Sequence, residues 1–471
     1  MFITQTRLLR HNPPQLNYGI AVTDVDGDGH FEAVVAGFGY PNLALKWNGK
    51  SFVDIADETL ADPGRSAIGV AAADIDDDGR EEIYFLNSDT FGGLKSLADR
   101  LFVFGDDGWR DLFAIPANRA ALNLTAGRSV AAVDRDGDGR YGFFVANYGG
   151  PMRLYELNDD GVIVDVAAEA GLDLITGGRS LLALPLVTVR MDIFAGNEGG
   201  PNFLFLNRGQ GQYQERGRQS GLSDPNQHAR GVSALDFDGD GRFDLVLGNW
   251  EGEHRLYRHL PDHAFRNEAP PQMAEPSRVR TVIAADFDND GYEEIFFNNI
   301  GEPNRLFGRR GGRWTKLNIG EAAEPEGLGT GAATGDFDGD GRLELIIAHG
   351  ESDLQPLSLY HTQGNGNFYL RVLPLTRQGA PARGAVVKLV AEGRTQMRAI
   401  DAGSGYLCQM EPLAHFGLGR TPRIERVEIR WLDGAAVTIQ NPAPNQLLRI
   451  PHPKSLTANG TNSHETFRTN S

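Results

Sequence analysis

Apolar residues along this chain alternate with polar ones in short runs and do not recur every three or four positions. Around Gly231 the runs read GVSALDF, the loop DGDGR, then FDLVLGNW, HRLYRHL and AFRNEA; their alternation and their β-branched and aromatic side chains predict strands. No segment between the loops keeps a helical apolar stripe beyond about two turns. The same texture returns with a period near fifty residues. Its clearest marker, Asp-x-Asp-x-Asp-Gly, starts at Asp24, Asp74, Asp134, Asp236, Asp286 and Asp336, at spacings of 50, 60, 102, 50 and 50. The long gap hides one more copy. Residues 178–197 (GRSLLALPLVTVRMDIFAGN) align with residues 127–147 (GRSVAAVDRDGDGRYGFFVAN), with LPLVTV where the acidic loop would stand. Seven units, each long enough for four short strands, predict an all-β fold, a closed seven-bladed β-propeller. Closing such a ring leaves one blade short of a strand, and the segment from Phe2 to Leu9, similar to the strand at Phe52, is expected to supply it.

A hard divalent cation takes about six to eight oxygens, and a short loop supplies them where carboxylates alternate and a glycine allows a sharp bend. In the first loop Asp24, Asp26 and Asp28 fill positions one, three and five, Gly29 makes the bend, His30 offers a backbone carbonyl at position seven, and Glu32 closes position nine. The other loops repeat this with Asp74, Asp76, Asp78, Arg80 and Glu82, with Asp134, Asp136, Asp138 and Arg140, and with Asp236, Asp238, Asp240, Arg242 and Asp244. Asp286, Asp288, Asp290, Tyr292 and Glu294 form the next, and Asp336, Asp338, Asp340, Arg342 and Glu344 the last. Position seven varies freely, as it can when the backbone and not the side chain is the ligand. Gly142 takes position nine of the third loop, so that site is expected to be weaker or completed by water, and the unit around Leu184 is expected to hold no ion. Position twelve reads Val35, Phe85, Val145, Leu247, Phe297 and Ile347 where an EF-hand needs a glutamate, which excludes that motif. The expected cofactor is calcium, about six ions, because magnesium seldom accepts an all-protein cage.

Charge agrees with this. The 45 basic and 63 acidic residues give a formal charge of −18, which disfavours nucleic acid and anionic membrane as partners. Twenty-three of the acids are assigned loop ligands, and six calcium ions would bring the charge to about −6. The single cysteine, Cys408, excludes an internal disulfide and a cysteine-based zinc site. No stretch approaches the ~18–20 apolar residues of a membrane helix, and the opening MFITQTRLLRHNPP has no apolar run of a secretion signal. The chain is thus expected to be soluble, without membrane insertion, either cytoplasmic or exported by a leader removed beforehand.

The Asp-x-Asp-x-Asp-Gly loops followed by apolar strands resemble the FG-GAP or VCBS repeats of integrin-type propellers, over residues 10–362. The remainder is similar to the ASPIC/UnbV domain through Gly384-Ala385-Val386-Val387, Asp401-Ala402-Gly403-Ser404-Gly405-Tyr406, His415-Phe416-Gly417-Leu418-Gly419 and Val427-Glu428-Ile429-Arg430-Trp431. In that order the two modules resemble the cartilage acidic protein family. The resemblance implies an extracellular or cell-surface adhesion protein with a protein or glycan partner. Animal members add a secretion signal and a disulfide-rich tail, so the chain resembles a minimal, bacterial-type form. Its own residues give strands FYLRVLPL, AVVKLVAE, RTQMRAIDA, RVEIRWLD, AVTIQN and LLRIP, which suit a small β-sandwich or barrel. The expected division is a propeller over 1–362, a β domain over 363–452 and a polar, disordered tail over 453–471.

Thirteen positions after each first loop aspartate stand Gly37, Asn87, Asn147, Asn249, Asn299 and His349, with Asn197 in the degenerate unit. Either each asparagine caps its own turn, or the amides line one mouth of the ring and bind a ligand. Phe38, Tyr148, Glu198, Trp250 and Ile300 follow directly, as a contact patch or as packing between blades. Ser404 misses the Gly-x-Ser-x-Gly elbow, Cys408 and His415 show no third partner, and neither a phosphate loop nor a two-histidine zinc pattern occurs. A calcium-binding, non-catalytic interaction protein is therefore expected. The alternative is a propeller enzyme, of hydrolase or lyase type, with its site at the central mouth.

Overall fold

A computed structural model describes residues 1–105, 107–420 and 423–455. The tail expected from residue 453 lies outside the described residues from 456 onward. Seven four-stranded antiparallel blades follow one another, their inner strands being Asn17–Thr23, Ala67–Ala73, Gly127–Val133, Ile175–Leu184, Ala229–Leu235, Val279–Ala285 and Gly329–Gly335. Phe2–Thr4 pairs with Ser358–Thr362 and completes the seventh blade, so the ring closes by hydrogen bonds between the two ends of the repeat array. The closing strand is shorter than expected: Thr6–Leu8 turns into a 3-10 helix. Blades three and four are further joined where Tyr148 pairs with Gly177 and Pro151 with Ile175. The second strands are fully buried, as in Glu32–Gly37 and Glu344–His349, because each blade stacks a face on either neighbour. The position-twelve residues Val35, Phe85, Val145, Leu247, Phe297 and Ile347 all point into these cores. Among the described residues the α-helices are four-residue turns, and none could cross a membrane.

The C-terminal module packs a three-stranded sheet of Phe368–Pro374, Ala414–Gly419 and Leu447–Ile450 against a four-stranded one of Val386–Ala391, Arg394–Ala399, Ile424–Arg430 and Ala436–Gln440. The sandwich reading missed the strand Ala414–Gly419, whose two glycines hide its alternation. Gly417 is needed there: a Cβ would fall 2.2 Å from an Asp286 carboxylate oxygen. The module sits on the end of the propeller that carries the acidic loops. Arg371 pairs with Asp336, Gln378 with Asp77, and Arg383 with Glu81.

From this module residues 401–411 enter the channel of the ring. The inner strand of a blade has an unpaired edge facing the axis, and its N–H and C=O groups need partners. The finger supplies them. Val22, Val70, Ala132 and Val232 donate to the carbonyls of Gln409, Leu407, Ala402 and Gly405, and Gly405, Gln409 and Glu411 donate back to Val232, Ile20 and Thr334. The Gln409 side-chain amide pairs with both backbone groups of Ala72 in the same way. The fit requires a bare backbone at Gly19, where a Cβ would lie 2.1 Å from the Leu407 carbonyl oxygen.

Candidate metal centres

Each acidic loop joins an inner strand to the second strand of its blade: Thr23 pairs with Glu32, Ala73 with Glu82, Leu235 with Asp244, Ala285 with Glu294 and Gly335 with Glu344. The first aspartate organises the loop from within. Asp24 accepts hydrogen bonds from the backbone N–H groups of Gly27, Asp28 and Gly29, at 2.7, 3.1 and 2.8 Å. The fifth-position aspartate accepts from the seventh N–H, as in Asp28 with His30, Asp78 with Arg80, Asp138 with Arg140, Asp240 with Arg242, Asp290 with Tyr292 and Asp340 with Arg342. The ninth-position acid spans the loop to the second N–H: Glu32 accepts from Val25 and Glu82 from Ile75, each at 2.8 Å. Of the position-seven side chains, Arg80 lies over the Phe104 ring and Tyr292 under Arg394, whereas Arg242 and Arg342 turn back onto Asp240 and Asp340 of their own loops.

These bonds leave carboxylate oxygens facing one another. In five loops three or more ligand atoms lie within 4.8 Å of one another: Asp24, Asp26 and Glu32; Asp74, Asp76 and Asp78; Asp236, Asp238 and Asp244; Asp286, Asp288 and Asp290; and Asp338, Asp340 and Glu344 with His361. Glu32 Oε1, Glu344 Oε1 and Asp336 Oδ1 are buried and accept no hydrogen bond. Burial and the adjacent aspartates push Glu32 to about 8, Asp244 to about 8 and Asp74 to about 7, and hold Glu82 and Glu344 well above the usual carboxylate range. Lys46, reaching in from the third strand, lies against Asp26, Asp28 and Glu32 as a stand-in cation. Converging carboxylates, several of them buried and held protonation-prone by one another, fit a hard divalent ion.

Two loops depart from the pattern. At the third, Asp134, Asp136 and Asp138 form no equally close group among the described residues. Gly142 leaves position nine empty, but a Cβ there would lie 2.8 Å from Glu156 Cγ, so a glutamate from the neighbouring strand Arg153–Leu157 occupies that space. The fourth-blade loop is one residue shorter, with Leu184 pairing to Asp192. Asp192 is thus its ninth-position acid, unrecognised in the sequence because of the deletion. Its oxygens are taken up by the N–H groups of Val187, Thr188 and Asn207 and by the Thr188 hydroxyl.

The proposed amide ring does not form. Asn87, Asn147, Asn197, Asn249 and Asn299 are buried, and the last four donate to the carbonyls of Pro151, Pro201, Glu253 and Pro303, each capping its own turn. The residues after them bridge to the next blade, Phe38 to Ser66, Glu198 to His228, Trp250 to Ser277 and Ile300 to Leu328. Cys408 is buried in the channel, and His415 is buried with Nε2 2.6 Å from Asn289 Oδ1.

A ring of acidic-loop blades closed by a C-terminal β module defines an FG-GAP propeller with an ASPIC/UnbV domain. Family models agree: "FG-GAP-like repeat" matches residues 24–85, 189–247, 236–297 and 286–347, and "ASPIC and UnbV" matches residues 375–457. Cartilage acidic protein 1 of Homo sapiens is 49% identical over 484 residues, covering 94% of this chain and 73% of its own, and that of Mus musculus is 49% identical, covering 94% and 75%. The chain belongs to the cartilage acidic protein family. Among solved structures, BBS1N in complex with ARL6DN, soaked with mercury, aligns at 10% identity with a TM-score of 0.48, covering 77% of this chain and 97% of that one.

Proposed function

We propose that this protein is a calcium-loaded, non-catalytic binding protein of adhesion type, whose ions stiffen the ring and whose partner docks on the face opposite the loops. The observation that carries it is the convergence of loop carboxylates on shared centres, repeated around one end of the propeller, with the Lys46 and Arg310 cations drawn against two of them. Calcium, when bound, would be held by the first-, third-, fifth- and ninth-position acids of the five closed loops, with Glu156 beside the third. The loop end is covered by the C-terminal module, which leaves the other end as the free face. Exposed apolar side chains gather there: Phe91, Leu94, Leu124, Leu174 and Ile175. Leu94 bridges to Thr125, Gly150 abuts Thr125, and Ile175 pairs with Pro151, so these residues form one patch across blades two to four. Such a patch favours a polypeptide over a glycan.

The test is elemental analysis after dialysis against trace calcium, with the same protein chelated as control. About six calcium ions per chain are expected. A protein that retains none, and takes up none at millimolar calcium, refutes the reading.

A further inference from the structure

Every inner strand carries a β-bulge, just after its first residue in six blades and after Gly178 in the fourth, and the residue there is Tyr18, Ile68, Arg128, Arg179, Arg230, Arg280 or Thr330. Four consecutive blades thus place an arginine at the same height in the channel, at the end away from the acidic loops. The periodicity is legible in the chain as Gly-Arg-Ser, Gly-Arg-Ser, Ala-Arg-Gly and Val-Arg-Thr, spaced 51, 51 and 50 residues apart. Tyr406, near the middle of the finger, rises among them.

Two acids answer the four arginines. Glu198 accepts from Arg179 Nε at 2.6 Å and Arg230 Nη2 at 2.8 Å, and Glu351 accepts from Arg280 Nη2 at 2.6 and 2.5 Å. Among the described residues Arg128 donates only to the carbonyls of Thr90 and Phe91. The Nε groups of Arg128 and Arg230 are buried and donate to nothing, although Arg230 is only 4% exposed. The cluster therefore holds two positive charges in excess, inside a chain whose formal charge is −18. Phe91, Tyr148 and Trp250 lie over the guanidinium planes and keep water off them. Burial pushes the Tyr406 phenol up, yet Arg179, Arg280, Arg230 and Arg128 together pull it below its ordinary value. Desolvated guanidinium groups with spare donors recognise planar oxyanions, carboxylates above all.

Glu351 shows what fits. Its side chain is 42% exposed against 19% for Glu198, and it stands in left-handed backbone, φ 71°, where blades one, three, four and six have Gly39, Gly149, Gly199 and Gly301. We propose that the arginine ring is a recognition site for a carboxylate of the partner, and that Glu351 occupies it until the ligand's own carboxylate displaces it. This rests on the reading of the free face as the binding surface, which the apolar patch beside it completes.

Trp250, whose ring lies 4.2 Å from the Arg280 guanidinium carbon, reports on the site by fluorescence, with Trp250→Phe as the reference. The purified calcium-loaded protein is titrated with succinate, with the capped peptide acetyl-Leu-Asp-Leu-amide, and with sulfate. Saturable quenching by a carboxylate, tightened roughly tenfold in Glu351→Gln and weakened by a similar factor in Arg128→Gln, is the expected result. A tighter peptide identifies a polypeptide source, and a tighter succinate a small acid. Absence of saturation in both wild type and Glu351→Gln overturns the proposal, as does binding indifferent to Arg128→Gln or stronger with sulfate. So does phenolate absorbance at neutral pH that vanishes in Tyr406→Phe, because the ring would then be neutralised from within. No partner is present in this titration, so its failure leaves the binding face standing; a partner that ignores Leu94→Asp would remove the face and leave the ring.

Discussion

Replacing Arg383 by methionine removes one of the charges that join the two modules. Its side chain is fully buried; Nε donates to Glu81 Oε1 at 2.5 Å, Nη2 to Glu81 Oε2 at 3.0 Å and to the Val22 carbonyl at 3.2 Å, and Nη1 to the Asp401 carbonyl at 2.7 Å. Glu81 has one other donor, the Thr23 hydroxyl at 2.8 Å. Arg383→Met therefore strands a carboxylate in a dry interface, and losing one partner of a buried pair costs about 3–5 kcal/mol. Unfolding entropy scales at roughly 2.1 cal/mol/K per residue, so for a chain of 471 residues this lowers Tm by about 3–5 °C. Calorimetry of wild type, Arg383→Met, Glu81→Gln and the double variant reads the effect. The double variant should regain most of the loss, because two neutral groups of similar volume replace the pair. A single variant within about 1 kcal/mol of wild type, or a double variant as unstable as the single, would show that the pair carries little of the docking.

Chelation of the calcium-loaded protein should lower Tm by roughly 10–15 °C: five closed loops at about a hundredfold over Kd contribute ~2.7 kcal/mol each. Back-titration in differential scanning fluorimetry checks it, and an unchanged Tm counts against bound metal. Glu156→Gln should remove or weaken one calcium ion in flow dialysis and leave the others alone; equal ion counts would return the third loop to water as its ninth ligand. Metal-free protein should become more stable as pH falls from 8 to 6. Glu32, Asp74 and Asp244 have folded pKa values raised to about 8, 7 and 8, so in that window the folded state holds more protons than the unfolded chain and stability drops as pH rises. A chelated Tm that rises toward pH 8 would refute this.

The loops were legible because their pattern is local: alternating acids, a glycine and an apolar strand sit within twelve residues. The seven blades followed from their period, including the degenerate copy, and Phe2–Thr4 was found through its likeness to the strand at Phe52. What the chain hid is non-local or displaced. Glu156 fills the space beside Gly142 from the next strand, fourteen residues on, and Asp192 is concealed by a one-residue deletion. Apart from the Gln409 amide, the finger binds through backbone groups, such as the Val22 N–H with the Gln409 carbonyl, and such bonds leave no side-chain signature.

The finger also sets an order of assembly. Until residue 411 exists, the inner strands of blades one, two, three, five and seven lack the hub that satisfies their axial edges. The axial edges of the ring are therefore satisfied last, when a C-terminal axle slides into place. Once seated, that axle can leave only if its bonds to five inner strands and the ion pairs beneath its module break together.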